Sequence, residues 1–303
     1  MSQHAGRTYV VTGADSGIGA AVAGRLDRAG ARVLRCGLAD TADVRADLTT
    51  AGGRDAAVAR VRELAPSGID GVALVAGSAD ERIAVGLNYF GTVGLLAALR
   101  GDLARRTAPR AVVVSSASSL SAGEDDLVDA CLAGDEAHAL AVADRMIARG
   151  RGGVIYRSTK IALNRWLRRA AVTEEWAGAR IPLNAVAPGI VETGTARRTL
   201  LADATSVRVL QDALPQPLGM PGPVEPVAAA IAWLLTPDAA FVTGQVLFVD
   251  GGAEATLRGD APFASGVRYG PLRMARMIAW TVVGRLRPRR GSRTARRAPR
   301  SVT

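Results

Sequence analysis

Short apolar runs rich in β-branched residues alternate with helical patterns along most of this chain. The runs are TYVVT at 8–12, ARVLRC at 31–36, GVALVA at 71–76, AVVVSS at 111–116, IPLNAVAP at 181–188 and QVLFVDGG at 245–252. Helical patterns over 17–29, 52–65 and 83–105 separate the first four, and a long helix from Tyr156 to about Ala177 precedes the fifth. Strands that stay apolar along their length are buried on both faces, as in a parallel sheet covered by crossover helices. Because such crossovers are right-handed, the pattern predicts an α/β fold with a doubly wound parallel sheet. No internal repeat is visible.

Two segments stand outside this alternation. Residues 117–153 contain EDDLVDACLAGDEAHALAVADRMIARG, which predicts one or two inserted helices. Residues 264–303 follow the last strand, so the reading divides the chain into one domain over 1–263 and a C-terminal extension over 264–303. With 303 residues, 49% hydrophobic and 22% charged, the body has ample material for a core. That balance excludes disorder throughout, collagen and a disulfide scaffold. Cys36 and Cys131 have no metal-ligand spacing, no apolar run approaches the roughly 18 residues of a membrane span, and the start carries no signal-peptide pattern. The expectation is a soluble protein of a reducing, cytoplasmic compartment, peripheral to a membrane only if its extension makes it so.

The net charge of +10 is confined to that extension. Residues 253–303 hold twelve Arg against Glu254 and Asp260, and the remaining 26 basic and 26 acidic residues cancel. A basic-body argument for nucleic-acid binding therefore fails, and no specific nucleic-acid partner is expected. Of the 38 basic residues, only Lys160 is a lysine. General coding bias toward Arg leaves one retained amine unexplained, and chemistry that needs an ammonium beside a phenol is a candidate reason.

Thr12-Gly13-Ala14-Asp15-Ser16-Gly17-Ile18-Gly19 joins the first strand to the first helix. Glycines there let the backbone approach a pyrophosphate, whose charge the helix N-terminus stabilises. Glycine clusters are often simple turns, but this one stands at the first strand-to-helix junction. Tyr156 and Lys160 lie four apart, on one helix face. A phenol with a pKa of about 10 is a poor base at neutral pH, and a nearby ammonium favours the phenolate. A surface pair at this spacing is common; the placement of the chain's single lysine favours a site. Ser115 and Ser116 end a strand, where an open parallel sheet binds ligands and a hydroxyl can donate to a carbonyl oxygen. Asn88 interrupts an apolar helical stretch, GLNYFGTVGLL, either as an exposed residue or as a polar group holding a water near the lysine.

Together these residues resemble the short-chain dehydrogenase/reductase family over residues 8–258. The resemblance rests on TGADSGIG at 12–19, Asp47-Leu48, Ala76-Gly77, Asn88, Ser116, Tyr156 with Lys160, Pro188-Gly189 with Thr193, and VDGG at 249–252. It implies a Rossmann-like seven-stranded sheet and an NAD(H)- or NADP(H)-dependent alcohol–carbonyl interconversion. By resemblance, Tyr156 is the general acid/base, Lys160 lowers its pKa and binds the nicotinamide ribose, Ser116 orients the carbonyl, and Asn88 supports a relay water. Gly13, Asp15, Ser16, Gly17, Ile18 and Gly19 line the phosphate turn. Asp47 and Leu48 fall where the family contacts adenine, Ala76 and Gly77 beside the cofactor, and Pro188, Gly189, Ile190 and Thr193 near the carboxamide. Ser116 is chosen over Ser115 because the family's serine is the second of such a pair.

Eleven positions separate Gly77 from Asn88 and forty separate Ser116 from Tyr156. A shortened segment followed by an insertion resembles the bacterial 3α-hydroxysteroid dehydrogenase/carbonyl reductase group, as do ADLTTAGGR, GLNYFGT, NAVAPGIVET and VDGGAEATLR. That group implies a homodimer, because the insertion obstructs the family's usual helix-bundle contact. The common NNAG motif is reduced here to Val75-Ala76-Gly77, which the group tolerates.

Cofactor choice is balanced in the sequence. Gly37-Leu38 follows the second strand with no acid, Asp40 comes three residues later, and Arg35 has no assigned direction. Asp15 would oppose a 2′-phosphate, and the group resemblance leans toward NAD. The substrate is a small carbonyl or alcohol compound, apolar by resemblance and steroid-like as one option. Leu200, Leu201, Val207, Val209 and Leu210, in the family's substrate loop at 194–218, either line an apolar pocket or form the buried face of a helix. His4 and His138 have no catalytic context and are expected to face solvent.

Residues 272–287 read LRMARMIAWTVVGRLR, and eight Arg follow from 285 to 300. The tail reads either as a frayed extension or as an interfacial helix with a polybasic segment drawn to anionic lipid. A nucleic-acid tail ranks below both, since aromatic interleaving is nearly absent. Two functions remain: an active oxidoreductase, favoured by Tyr156, Lys160, Ser116 and Asn88 together, or a cofactor-binding scaffold or regulator of the same fold. A hydrolase ranks third, because no GxSxG elbow is present.

Overall fold

A computed structural model describes residues 2–199 and 203–286. They form two compact units, one through Gly259 and one from Asp260. The first is built on seven strands: β1 (Thr8–Thr12), β2 (Arg32–Gly37), β3 (Val44–Arg45), β4 (Gly71–Leu74), β5 (Arg110–Val114), β6 (Leu183–Pro188) and β7 (Val246–Val249). Their order is β3-β2-β1-β4-β5-β6-β7, and every neighbouring pair is parallel. The chain winds outward from β1 in one direction and from β4 in the other. The switch point between β1 and β4 opens the crevice where such sheets bind ligands.

Strand alternation divides the core into two layers. Val10, Val72, Leu74, Ala111 and Val113 pack on one face, against α2 (Ala51–Leu64), α3 (Thr92–Ala104) and α6 (Ile155–Ala170). Tyr9, Val11, Ala73, Val112 and Val114 pack on the other, against α1 (Gly17–Arg28) and α9 (Val224–Leu234). The insertion folds as two helices, α4 (Asp125–Ala133) and α5 (Glu136–Ala148). Leu127, Val128 and Cys131 of α4 bury against Leu163 and Leu167 of α6, so the insertion covers that helix.

The helix expected from Tyr156 to Ala177 is shorter than its pattern, ending at Ala170. Trp176 is buried and meets Trp166 edge-on at 6.4 Å. An unbroken helix would put residues ten apart on different faces, so a separate turn at Glu174–Gly178 brings Trp176 back into the core. His4 is also buried rather than solvent-facing: its Nδ1 lies 2.9 Å from the Tyr9 hydroxyl. That partner, on β1, makes burial of the imidazole tolerable.

Beyond β6 the chain forms α7 (Gly194–Thr199) and α8 (Ala204–Ala213), and after β7 it forms α10 (Ala253–Arg258). The second unit contains α11 (Pro271–Leu286), which takes in most of the apolar part of the tail. Its basic residues from Arg287 onward lie outside the described residues, as do Leu200 and Leu201. No helix among the described residues is long and apolar enough to cross a membrane.

Candidate active site

The glycine turn sits at the carboxyl end of β1 and depends on missing side chains. Gly13 has φ +65°, and a Cβ there would come within 2.9 Å of the Ala76 Cα. A Cβ on Gly19 would lie 2.1 Å from the Gly13 carbonyl oxygen, so only glycine lets α1 start this close to β1. Ser16 caps α1 without a side-chain hydrogen bond to it. The first N–H groups of a helix lack intrahelical acceptors, which makes this terminus a site for an anionic group. Thr193 packs its methyl toward Gly17, joining the chain beyond β6 to the turn.

Thr12 has a role that its place in the motif did not disclose. Its hydroxyl accepts from the backbone N–H groups of both Val75 and Ala76 at 3.0 Å, tying the turn to the end of β4. Leu48, Ala76 and Thr12 share one apolar niche. Leu48 is buried, whereas Asp47 is exposed and its carboxylate accepts from the Thr49 hydroxyl and N–H. Those bonds hold the Asp47 carboxyl below its usual pKa.

The α6 helix carries Tyr156 and Lys160 one turn apart. Lys160 is buried, its Nζ donates to the Val114 carbonyl at 2.7 Å, and it lies 5.7 Å from the centre of the Tyr156 ring. Burial lowers the Lys160 pKa to about 8. Burial pushes the Tyr156 phenol up, and the facing Ser116 hydroxyl pulls it back down. The two serines after β5 separate cleanly. Ser115 continues the sheet ladder, its N–H donating to Val186 O at 2.8 Å, and its buried hydroxyl has no partner among the described residues. Ser116, on the opposite side of the strand, turns toward Tyr156.

Asn88 is fully buried in a π-helical turn at Val85–Gly91. Its Oδ1 accepts from Ser78 N–H at 2.8 Å, and its Nδ2 donates to Ser78 O at 2.9 Å and Thr159 Oγ1 at 3.3 Å. The exposed reading of Asn88 is therefore excluded. Its side chain locks the loop after β4 onto α6, holding Gly77 beside Lys160: a Cβ on Gly77 would lie 3.5 Å from the Lys160 Nζ.

At the end of β6, Pro188 and Gly189 lead to buried Ile190. The Ile190 N–H donates to Gln216 Oε1 at 2.5 Å, and Gln216 Nε2 donates back to Ile190 O at 3.4 Å. Gln216 carried no motif in the sequence; this contact across 26 positions is a product of the fold. Beside it lies a cavity of about 630 Å³ lined by Gly189, Ile190, Gln216, Leu218 and Phe248. Of the apolar loop residues, Leu210 packs with Ala117, Ile190 and Leu214, whereas Val209 is exposed.

The glycine turn, Ala76-Gly77, Asn88, Ser116, Tyr156, Lys160 and Thr193 thus gather around the carboxyl ends of β1, β4, β5 and β6. A glycine cradle, an open helix N-terminus and a buried ammonium beside a phenol fit a dinucleotide and a reducible carbonyl. The description enoyl-(acyl carrier protein) reductase belongs to the family model that matches residues 13–254. The chain belongs to the short-chain dehydrogenase/reductase family and is an NAD(P)-dependent oxidoreductase. It is 34% identical to the 3-alpha-hydroxysteroid dehydrogenase/carbonyl reductase of Comamonas testosteroni, over 82% of this chain and 97% of that protein. It is also 34% identical to the cis-4-hydroxycyclohexanecarboxylate dehydrogenase of Sinomonas cyclohexanicum, with the same coverage of both chains. The 3-alpha-hydroxysteroid dehydrogenase of Pseudomonas sp. B-0831, solved with NADH, superposes with a TM-score of 0.76 at 39% identity, covering 83% of this chain and 98% of that one. The class of reaction is the interconversion of an alcohol and a ketone.

Proposed function

We propose that this chain interconverts an apolar secondary alcohol and its ketone, with Tyr156 as the general acid/base. The convergence of Tyr156, Ser116 and Lys160 at the strand ends carries the reading. A bound nicotinamide cofactor supplies or takes the hydride. Gly13, Ser16, Gly17, Ile18 and Gly19 would receive its pyrophosphate, and Lys160 its ribose. The Ser116 hydroxyl donates to the substrate oxygen and fixes its position. Tyr156 delivers its phenolic proton to that oxygen during reduction and takes it back during oxidation. The phenol is protonated at neutral pH and can donate to a ketone, and the facing Ser116 hydroxyl offsets part of the rise in pKa that burial imposes. Asn88 acts by holding Ser78 and Thr159 in place around this pair.

The names of the relatives point to cyclic alcohols, which supports a cyclic substrate, and the neighbour solved with NADH supports NAD(H) as the nicotinamide form. The covering of α6 by the insertion supports a homodimer made through another face; sedimentation as a monomer would exclude it. The apolar-then-basic order of the tail supports a peripheral contact with anionic lipid. The deciding test of the activity is Tyr156→Phe. It should leave NADH affinity unchanged in calorimetric titration and lower ketone reduction by about 10²–10⁴-fold. A Phe variant that still reduces ketones at the original rate removes Tyr156 from the role. Retained cofactor binding with no turnover of any ketone by the unchanged chain would favour the scaffold reading.

A further inference from the structure

The end of β2 is where a dinucleotide-binding fold places the acid that accepts hydrogen bonds from the adenosine ribose. Here that position is Gly37, which has no side chain to offer. The space is nevertheless filled. A Cβ on Gly37 would lie 2.1 Å from the Asp15 Oδ2 and 2.5 Å from its Cγ and Oδ1. The Asp15 carboxylate, projecting from the glycine turn, occupies the volume that a side chain on β2 would take.

We infer that Asp15 supplies the ribose-recognising carboxylate missing from β2, and that the chain thereby selects NAD(H) against NADP(H). The inference rests on the reading of the chain as a nicotinamide-dependent oxidoreductase. Asp15 Oδ2 is anchored by the Leu38 N–H at 2.9 Å, with the Ala39 N–H at 3.4 Å. Among the described residues no donor reaches Oδ1, and the residue is exposed, so one oxygen is left to accept from ribose hydroxyls. Gly37 and Asp15 act as a pair: the glycine makes room, and the aspartate fills it.

The flanking cations fit the same assignment. Arg35, one candidate to meet a 2′-phosphate, is paired with Asp27 of α1. Arg45 lies opposite Gly37 in the β2–β3 register and is paired with Asp40 at 2.6 Å. Asp40 is therefore engaged with β3. A 2′-phosphate would meet the Asp15 charge while both arginines are held by carboxylates. The Arg45 pair is exposed and weak, so Arg45 is the cation a phosphate would recruit once Asp15 is neutral.

The test is calorimetric titration of the full chain with NADH and with NADPH, alongside thermal melts. The unchanged chain should bind NADH more tightly. Asp15→Asn keeps an oxygen to accept the Leu38 N–H and removes only the charge. It should lower the NADH-to-NADPH affinity ratio by at least about tenfold, the scale of one charge-assisted hydrogen bond. The double variant Asp15→Ser/Gly37→Asp moves the acid to β2 without the 2.1 Å clash and should restore the NADH preference. An unchanged ratio in Asp15→Asn, or an NADPH preference in the unchanged chain, overturns the inference and leaves the functional reading standing. If Asp15→Asn fails to fold, the double variant decides, and its failure to prefer NADH overturns the inference. Binding of neither nucleotide by the unchanged chain overturns both.

Discussion

Replacing Lys160 by methionine removes a charge that the fold stabilises poorly. Burial lowers the Lys160 pKa from 10.5 to about 8, which corresponds to about 3 kcal/mol of disfavoured charging in the folded state. Below pH 8 both folded and unfolded chains hold the proton, and the folded state bears this penalty in full. Between pH 8 and 10.5 the unfolded chain keeps a proton that the folded chain has released. Stability from this group therefore rises with pH across that window, and the penalty is gone above it. A thioether in its place would not titrate. It would also leave the Val114 carbonyl without its 2.7 Å donor, a loss of about 1–3 kcal/mol at any pH. Lys160→Met should thus be up to about 2 kcal/mol more stable than the parent at pH 7 and less stable at pH 10.5. The assay is urea unfolding of both proteins at the two pH values, followed by tryptophan fluorescence. The difference in stability should fall by about 3 kcal/mol between them. A difference that stays constant would refute the argument, because it would mean that Lys160 titrates alike folded and unfolded.

The two serines should part company under alanine substitution. Ser116→Ala should lower ketone reduction by about 10²-fold with NADH affinity retained, whereas Ser115→Ala removes a buried hydroxyl that has no partner among the described residues and should leave turnover intact and stability equal or higher. The reverse pattern in kcat would reassign the site to Ser115. Flotation with vesicles containing phosphatidylserine should retain the full chain and release a chain ending at Phe263; equal behaviour of the two ends the lipid assignment.

The parallel α/β sheet was legible because its strands and helices announce themselves locally. TYVVT and AVVVSS carry no polar face, and helices such as 52–65 carry a helical period. The glycine turn and the Tyr156–Lys160 spacing are local as well: a helix brings residues four apart onto one face wherever it sits. Two-residue β3 escaped because so short a run has no period, and the end of α6 escaped because burial of Trp176 overrides the apparent continuation.

What tertiary structure alone decided are contacts between residues far apart in the chain. Thr12 reaches Val75 and Ala76, Gln216 reaches Ile190, and Asn88 reaches Thr159. Which way each of Ser115 and Ser116 points after the end of β5 is likewise a matter of sheet packing rather than spacing. In the sequence, the absent acid after β2 and the acid at position 15 are two unconnected facts with opposed meanings. The parallel pairing of β1 with β2 brings the ends of both strands together, and the Asp15 carboxylate then fills the space above Gly37. Side-chain chemistry and local period are properties of a stretch of sequence; which carboxylate fills which gap is settled only when strands align.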